Sequence, residues 1–280
     1  MRLFYKFVGG LQLARDYVSS AVRLREYRGQ FDHVRFFCLF VGYPRSGHTL
    51  VGSLLDAHRY AIIGLELDAL KYVRYGFSRE QIFVLLAENS RLQAGRGRQW
   101  TGYSYYVPNQ WQGRAEQIRV IGDKRGGGSS RRLARDPGLL DRLRQRIGVP
   151  LKLIHVVRNP YDNIATMALR KDAASLEDAI RLYFKMTDTV ARVRRNCAPG
   201  EFITVHHEHL IARPADTLQA LCDFLELPAD GQYLQDCSSI VFESPHHSRN
   251  KVAWAEEQLE DVARHCARYD FLADYAAACP

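Results

Sequence analysis

The chain is expected to fold as an α/β protein with a central parallel sheet flanked by helices. Three observations carry this expectation. Short β-branched or aromatic runs alternate with longer helical patterns, as in βαβ units. A glycine-bearing turn joins the strand-like FFCLFVG (Phe36 to Gly42) to the helix-like HTLVGSLLDAH. A strand, a turn and a helix N-terminus together aim backbone N–H groups and a helix dipole at an anion. Hydrophobic content of 46% and charged content of 25% are those of a globular chain with a core. The 280 residues suit one large domain, or one domain with helical insertions.

Residues 1–30 lack an uninterrupted apolar core and are laced with Arg and Lys, so they do not resemble a signal peptide. They read as a basic helix or tail ahead of a domain covering 31–280. Such a helix either packs on the domain or lies peripherally on a membrane or a partner. No stretch approaches the ~18 apolar residues that span a bilayer. Strands are expected at Phe36–Gly42, Ala61–Gly64, Ile118–Gly122, Leu151–Arg158 and Phe202–His206. Helices are expected at Thr49–His58, Asp68–Tyr75, Arg79–Ala94, Arg131–Ile147, Pro160–Arg170, Leu176–Asn196, Pro214–Leu227 and Ala253–Tyr269. Pro160 suits the first turn of its helix.

Two loops interrupt the rhythm. One, Arg96 to Gln117, carries Trp100, Tyr103, Tyr105, Tyr106 and Trp111. It is either a stacking platform for a ligand or a hairpin that buries its aromatics against the sheet. The other, Lys124 to Ser130, contains three consecutive glycines. It is either a mobile lid or a helix start with Ser129 or Ser130 as N-cap of Arg131–Ile147. The arginines along that helix read as a solvated face. No nucleic-acid recognition motif accompanies them, so no nucleic acid is expected despite a net charge of +8. Six cysteines, including Cys279, show neither CxxC nor metal-ligand spacing. They read as reduced thiols of a cytoplasmic chain.

The run Gly42-x4-Gly47-x-Thr49 nearly makes a nucleoside-triphosphate loop, which requires Lys where this chain has His48. That points to a phosphate-containing donor other than ATP. In LKLIHVVRNPYDNIATMALR, Arg158 stands at a carboxyl strand end beside the cradle. Thr166 and Arg170 follow as an i,i+4 pair on one helix face. An arginine fork, a hydroxyl and a second arginine suit a terminal phosphate monoester.

Together the two segments resemble the sulfotransferases that use 3′-phosphoadenosine 5′-phosphosulfate (PAPS). The matching residues are Pro44-Arg45-Ser46-Gly47-His48-Thr49 and Arg158…Thr166. His48 replaces the usual Thr or Ser, and Thr166 the usual Ser. The pattern is nearest to the tyrosylprotein and related Golgi-type enzymes, through PRSGHTLVGSLLDAH and on to LELDAL. The resemblance implies a P-loop NTPase-like three-layer fold, PAPS as donor with PAP as product, and no metal. It implies that Glu66, 21 residues after Arg45, is the general base, with Asp68 as a rival. It implies that Lys124, with Arg45, stabilises charge on the bridging oxygen. Ser248, Arg249 and Lys251 fall in the family's last donor-binding loop. His207-Glu208 stands where relatives often have Tyr-Glu. The acceptor is a hydroxyl whose class stays open: carbohydrate, lipid, peptide or small molecule. Two other readings stand beside this one, a P-loop kinase or nucleoside-triphosphatase and a non-enzymatic basic binding protein.

Overall fold

Along Phe36–Gly42 every residue is buried. Phe37, Leu39 and Val41 enter one hydrophobic cluster, while Phe36, Cys38 and Phe40 enter a second. Successive strand side chains point to opposite faces, so this strand lies inside a sheet covered on both sides. The computed structural model describes residues 2–277, with side chains from residue 10 onward. Cys279 lies outside the described residues.

In chain order the elements are α1 (Arg2–Arg23), β1 (Phe36–Gly42), α2 (His48–Asp56), β2 (Ala61–Leu65), α3 (Ala69–Arg74), α4 (Arg79–Gly95), β3 (Gln99–Trp100) and β4 (Tyr103–Ser104). Then come β5 (Val120–Lys124), α5 (Gly127–Arg135), α6 (Leu139–Ile147), β6 (Leu151–Val157), α7 (Pro160–Leu169), α8 (Leu176–Arg195), β7 (Phe202–His206), α9 (His207–Ala212), α10 (Pro214–Phe224), α11 (Gly231–Ser238) and α12 (Glu256–Cys266). The main sheet has the order β2-β5-β1-β6-β7 and every pairing is parallel. Helices α2, α9, α10 and α11 contribute to one face cluster; α3 to α8 and α12 contribute to the other. The carboxyl ends of β1, β2, β5 and β6 therefore share one edge, the place where open α/β sheets bind ligands.

Several expectations are corrected. The helix expected over Arg131–Ile147 is two helices. It breaks at Asp136-Pro137-Gly138 because proline disfavours a helical residue before it and supplies no N–H. Ser129 and Ser130 do not cap a helix: α5 starts at Gly127, and buried Ser130 accepts a 2.9 Å bond from the Gly42 N–H. The glycine run is thus the first turn of a packed helix and not a lid. The strand expected at Ile118–Gly122 lies at Val120–Lys124, so Lys124 is its last residue. Part of the aromatic loop is a hairpin, β3 pairing antiparallel with β4. Its two-residue turn, Thr101-Gly102, has φ of 50° and 87°, as a type I′ turn requires. Helix α11 was not expected. Helix α1 packs beside α4, with Gln81 donating to the Tyr17 carbonyl at 3.1 Å, and is tied to α3 by Tyr72 donating to Asp16 at 2.8 Å.

The end of α2 is anchored by one carboxylate. Buried Asp56 accepts from the Ile63 N–H and the Ser90 hydroxyl, each at 2.6 Å, and from the Gly113 N–H at 3.0 Å. It also pairs with Arg98, which is 1% exposed. The site helix is thereby tied to β2, α4 and the segment after the hairpin. Removing one partner of a buried ion pair strands the other charge and costs about 3–5 kcal/mol. Asp56→Ala is expected to lower urea-unfolding stability by that amount. Asp56→Ala combined with Arg98→Met should recover part of the loss. A double variant as unstable as the sum of the singles would show that the pair is not coupled.

Candidate active site

The turn from β1 to α2 is shaped by backbone conformations that side chains resist. Gly42, Arg45 and Gly47 have φ of 135°, 67° and 89°; at Arg45 this is a strained position for a residue with a Cβ. Gly47 caps α2 without a side-chain acceptor, and the opening N–H groups of a helix have no intrahelical acceptor. The turn is held from outside by Asn163, whose amide donates to the Pro44 carbonyl at 2.9 Å. Glycines let other segments close on it. A Cβ at Gly47 would overlap the His207 ring. One at Gly126 would come within 2.9 Å of His48, and one at Gly127 within 2.6 Å of Pro44.

Beside the turn, Lys124 projects from the end of β5. Its Nζ donates to Glu66 Oε1 at 2.8 Å and to Thr49 Oγ1 at 3.0 Å. The nucleoside-triphosphate loop carries its lysine within the turn; here an amine reaches the same helix start from a neighbouring strand. Glu66 follows β2 in a left-handed conformation, φ 57°, with its N–H on the Lys124 carbonyl at 2.9 Å. His48 Nε2 lies 3.6 Å from Glu66 Oε1, and His48 Nδ1 lies 3.1 Å from Ser46 Oγ. Burial alone would raise the Glu66 pKa. The contacts of His48 and Lys124 outweigh it and hold the group at about 2. Burial lowers the pKa of His48 and of Lys124, with Glu66 opposing in both cases. The Glu66 side chain is 25% exposed against 1% for Lys124, so the carboxylate is the member that an incoming group can meet.

Across the turn, Arg158 stands one residue past β6. Its Nη1 donates to Thr166 Oγ1 at 3.1 Å, and its Nη2 donates to the His246 carbonyl and approaches Ser248 Oγ at 3.4 Å. Its Nε is buried without a partner among the described residues, as are His207 Nδ1 and Asn163 Oδ1. These orphaned atoms belong to residues that border the turn and the Arg158 cluster. Burial, reinforced by Arg158 and His246 against Glu208, lowers His207 to about 4, so the ring is neutral near pH 7.

The structure brings Pro44, Ser46, Gly47, His48, Thr49, Glu66 and Lys124 together, and gathers Arg158, Thr166 and Ser248 in a second group. Arg45 is held by Asp172 in a fork, Nε to Oδ2 at 2.7 Å and Nη2 to Oδ1 at 3.3 Å. Arg170 and Lys251 are exposed, the first at the C-cap of α7. Arg249 is engaged by Asp162, its N–H at 2.9 Å and its guanidinium at 3.3 Å. Asp68, the rival base, is buried and bound by Arg132 and Arg125, which leaves its carboxylate committed. The aromatic segment divides. Val107 enters the core while Trp100 lies over Lys124, 5.6 Å from Nζ to ring centre, and Tyr103 packs on Phe242 at 5.7 Å. Sequence reading missed Asn163, Asp123 and Asp172. Asn163 lies inside the helix expected from Pro160, but only tertiary packing brings it to the Pro44 carbonyl.

The Sulfotransferase family model matches residues 151–231. A Caenorhabditis briggsae protein described as "Putative protein-tyrosine sulfotransferase" is 28% identical over 205 residues, covering 70% of this chain and 68% of its own. The fold is similar to the sulfotransferase domain from the curacin biosynthetic pathway, with a TM-score of 0.54 and 17% identity over 84% of this chain and 96% of that one. It is similar to the sulfotransferase domain of the Synechococcus PCC 7002 olefin synthase as well, with a TM-score of 0.52 and 18% identity over 86% and 98%.

Asp123 secures the segment that carries Glu66 by accepting from the Leu67 N–H at 3.2 Å and the Ala69 N–H at 2.6 Å. Burial pushes its carboxyl up to about 7, against the pull of the Ala69 N–H. An acid whose folded pKa is raised binds its proton more tightly when folded. Its contribution is therefore present at low pH and lost as pH rises from the ordinary value of 3.8 toward 7. The stability of the parent chain relative to Asp123→Asn should fall over that interval in urea titrations. A difference that stays flat from pH 4 to 8 would contradict this.

Proposed function

We propose, from the match of residues 151–231 to the Sulfotransferase family model and the likeness to a 28% identical relative, that the chain is a sulfotransferase that moves a sulfuryl group from PAPS to an acceptor hydroxyl held beside Glu66. The observation that carries this reading is the placement of Lys124. A turn without its own lysine receives an amine from β5, and that amine touches both Thr49 and Glu66. A cation and a carboxylate at one turn suit a group transfer in which charge builds on one oxygen while a proton leaves another.

The chain's residues fit this donor. The N–H groups opening α2 suit a 5′-phosphate. Arg158, with Thr166 and Ser248, suits a 3′-phosphate, and its buried, unpartnered Nε gives a further donor for a charged ligand. PAPS supplies the sulfuryl group on an activated phosphate. Lys124 offsets charge developing on the oxygen that stays with the phosphate. Glu66 takes the acceptor's proton. A carboxylate held at about 2 is a weak base, and Lys124 is one cause of that value. As Lys124 turns toward the donor, its hold on Glu66 weakens and the carboxylate becomes more basic. Arg45, strained and held by Asp172, is placed to exchange that carboxylate for an anionic donor. Trp100 over Lys124, with Tyr103 paired to it across the hairpin, suits an acceptor with a ring, from tyrosine peptide to carbohydrate.

Two measurements test this reading. PAP should raise the melting temperature without magnesium, and ATP should raise it far less; the reverse ranking would support a kinase or nucleoside-triphosphatase. Across a panel of tyrosine peptides, carbohydrates and phenols with labelled PAPS, Glu66→Gln should lose about 10²–10⁴-fold of transfer and keep its stabilisation by PAP. Undiminished transfer would remove Glu66 from the mechanism.

A further inference from the structure

Helix α1 has two unlike sides. Toward the domain, Leu13 packs on the core, Ser20 is buried, and Asp16 accepts from the Tyr72 hydroxyl. The opposite side carries Leu11, Val18 and Val22, which are 57%, 61% and 67% exposed. Their spacing of seven and four residues sets them on one line along the helix. Ala14 and Ala21 are exposed beside them, and Arg15 is the one charged residue among the exposed positions from 10 to 22. In the sequence, Phe4 and Phe7 stand seven and four residues before Leu11 and continue the spacing. Exposed apolar residues scattered singly are ordinary on a protein surface, whereas a contiguous line of them marks a surface that meets something.

We propose that this outer face of α1 docks on an anionic lipid membrane. Among the described residues no helix is long and apolar enough to cross a membrane. A helix with one apolar side and cations beside it lies in the plane of the interface instead. Charge decides between lipid and a second copy of this chain. Residues 1–30 contain six arginines and lysines against two acids, Asp16 and Glu26. Asp16 is engaged by Tyr72 and Gln12. Arg15 falls on the apolar line, four residues after Leu11 and three before Val18, and Arg25 and Arg28 are exposed just beyond it. A second copy laid on this face would set these cations against their own kind. Anionic headgroups pair with them while Leu11, Val18 and Val22 enter the boundary of the acyl chains. This docking is independent of the sulfuryl-transfer reading, and either can fail alone.

The test is cosedimentation of the full chain with phosphatidylcholine vesicles, made with and without phosphatidylserine. The chain is expected to sediment with the phosphatidylserine vesicles, less with phosphatidylcholine alone, and less again as salt is added. Val18→Asp combined with Val22→Asp should lower partitioning about tenfold or more. It should leave the melting temperature unchanged, because both side chains are exposed. If the aspartates unfold the chain, Val18→Ser with Val22→Ser makes the same comparison. A parent chain that stays in the supernatant with phosphatidylserine vesicles overturns the proposal. So does binding that the double variant retains in full, since the general basicity of the chain would then account for it. A lipid-free dimer in sedimentation velocity that the double variant dissolves, without vesicle binding by the parent, would assign the face to a second copy and overturn it too.

Discussion

A charge buried near the carboxyl ends of the strands has to meet a counter-charge, because an ion desolvated alone costs several kcal/mol. Much of this edge of the molecule follows from that constraint. Asp56 closes on Arg98 and Asp68 on Arg132, while Lys124 closes on Glu66. The first two pairs are saturated by guanidinium groups and fix helix ends and turns. The third is different in kind. Its carboxylate is partly exposed and its cation is shared with a hydroxyl. Arg158 leans on neutral groups, a carbonyl and two hydroxyls.

Close backbone approach is the second requirement. The β1–α2 turn is packed by His207 on one side and by the start of α5 on the other, and each approach occurs where a Cβ is missing. The glycines after Lys124 therefore serve packing. They let α5 begin against Pro44 and His48 and so deliver Ser130 to the Gly42 N–H. This rigidity explains how a left-handed Arg45 and a left-handed Glu66 are tolerated side by side: strained conformations persist where surrounding contacts over-determine them.

Much of the architecture was legible in the chain alone. The alternation of strand and helix patterns, Pro160 at a helix start, and the spacing from Gly42 to Thr49 report local preferences that tertiary packing did not override. They determined the parallel sheet, the location of the cradle and the placement of Arg158 with Thr166 eight residues apart. Where local signals conflicted, tertiary structure decided. Pro137 outweighed the periodicity of Arg131–Ile147, and the glycines after Lys124 became a helix because α5 buries Leu133 in the core.

What only the folded structure decided are the relations between distant segments. The family resemblance marks Glu66 and Lys124 as candidates, but their 2.8 Å contact exists because β2 and β5 pair in parallel register, with Leu65 opposite Lys124. The difference between Glu66 and Asp68 as bases is likewise tertiary, since it depends on Arg132 and Arg125 closing on Asp68. His48 reads in sequence as a missing lysine. The fold turns it into an imidazole between Ser46 and Glu66, because the helix start that carries it faces the ends of two other strands. A linear chain specifies which residues lie at a strand end; the register of the sheet determines which strand ends meet.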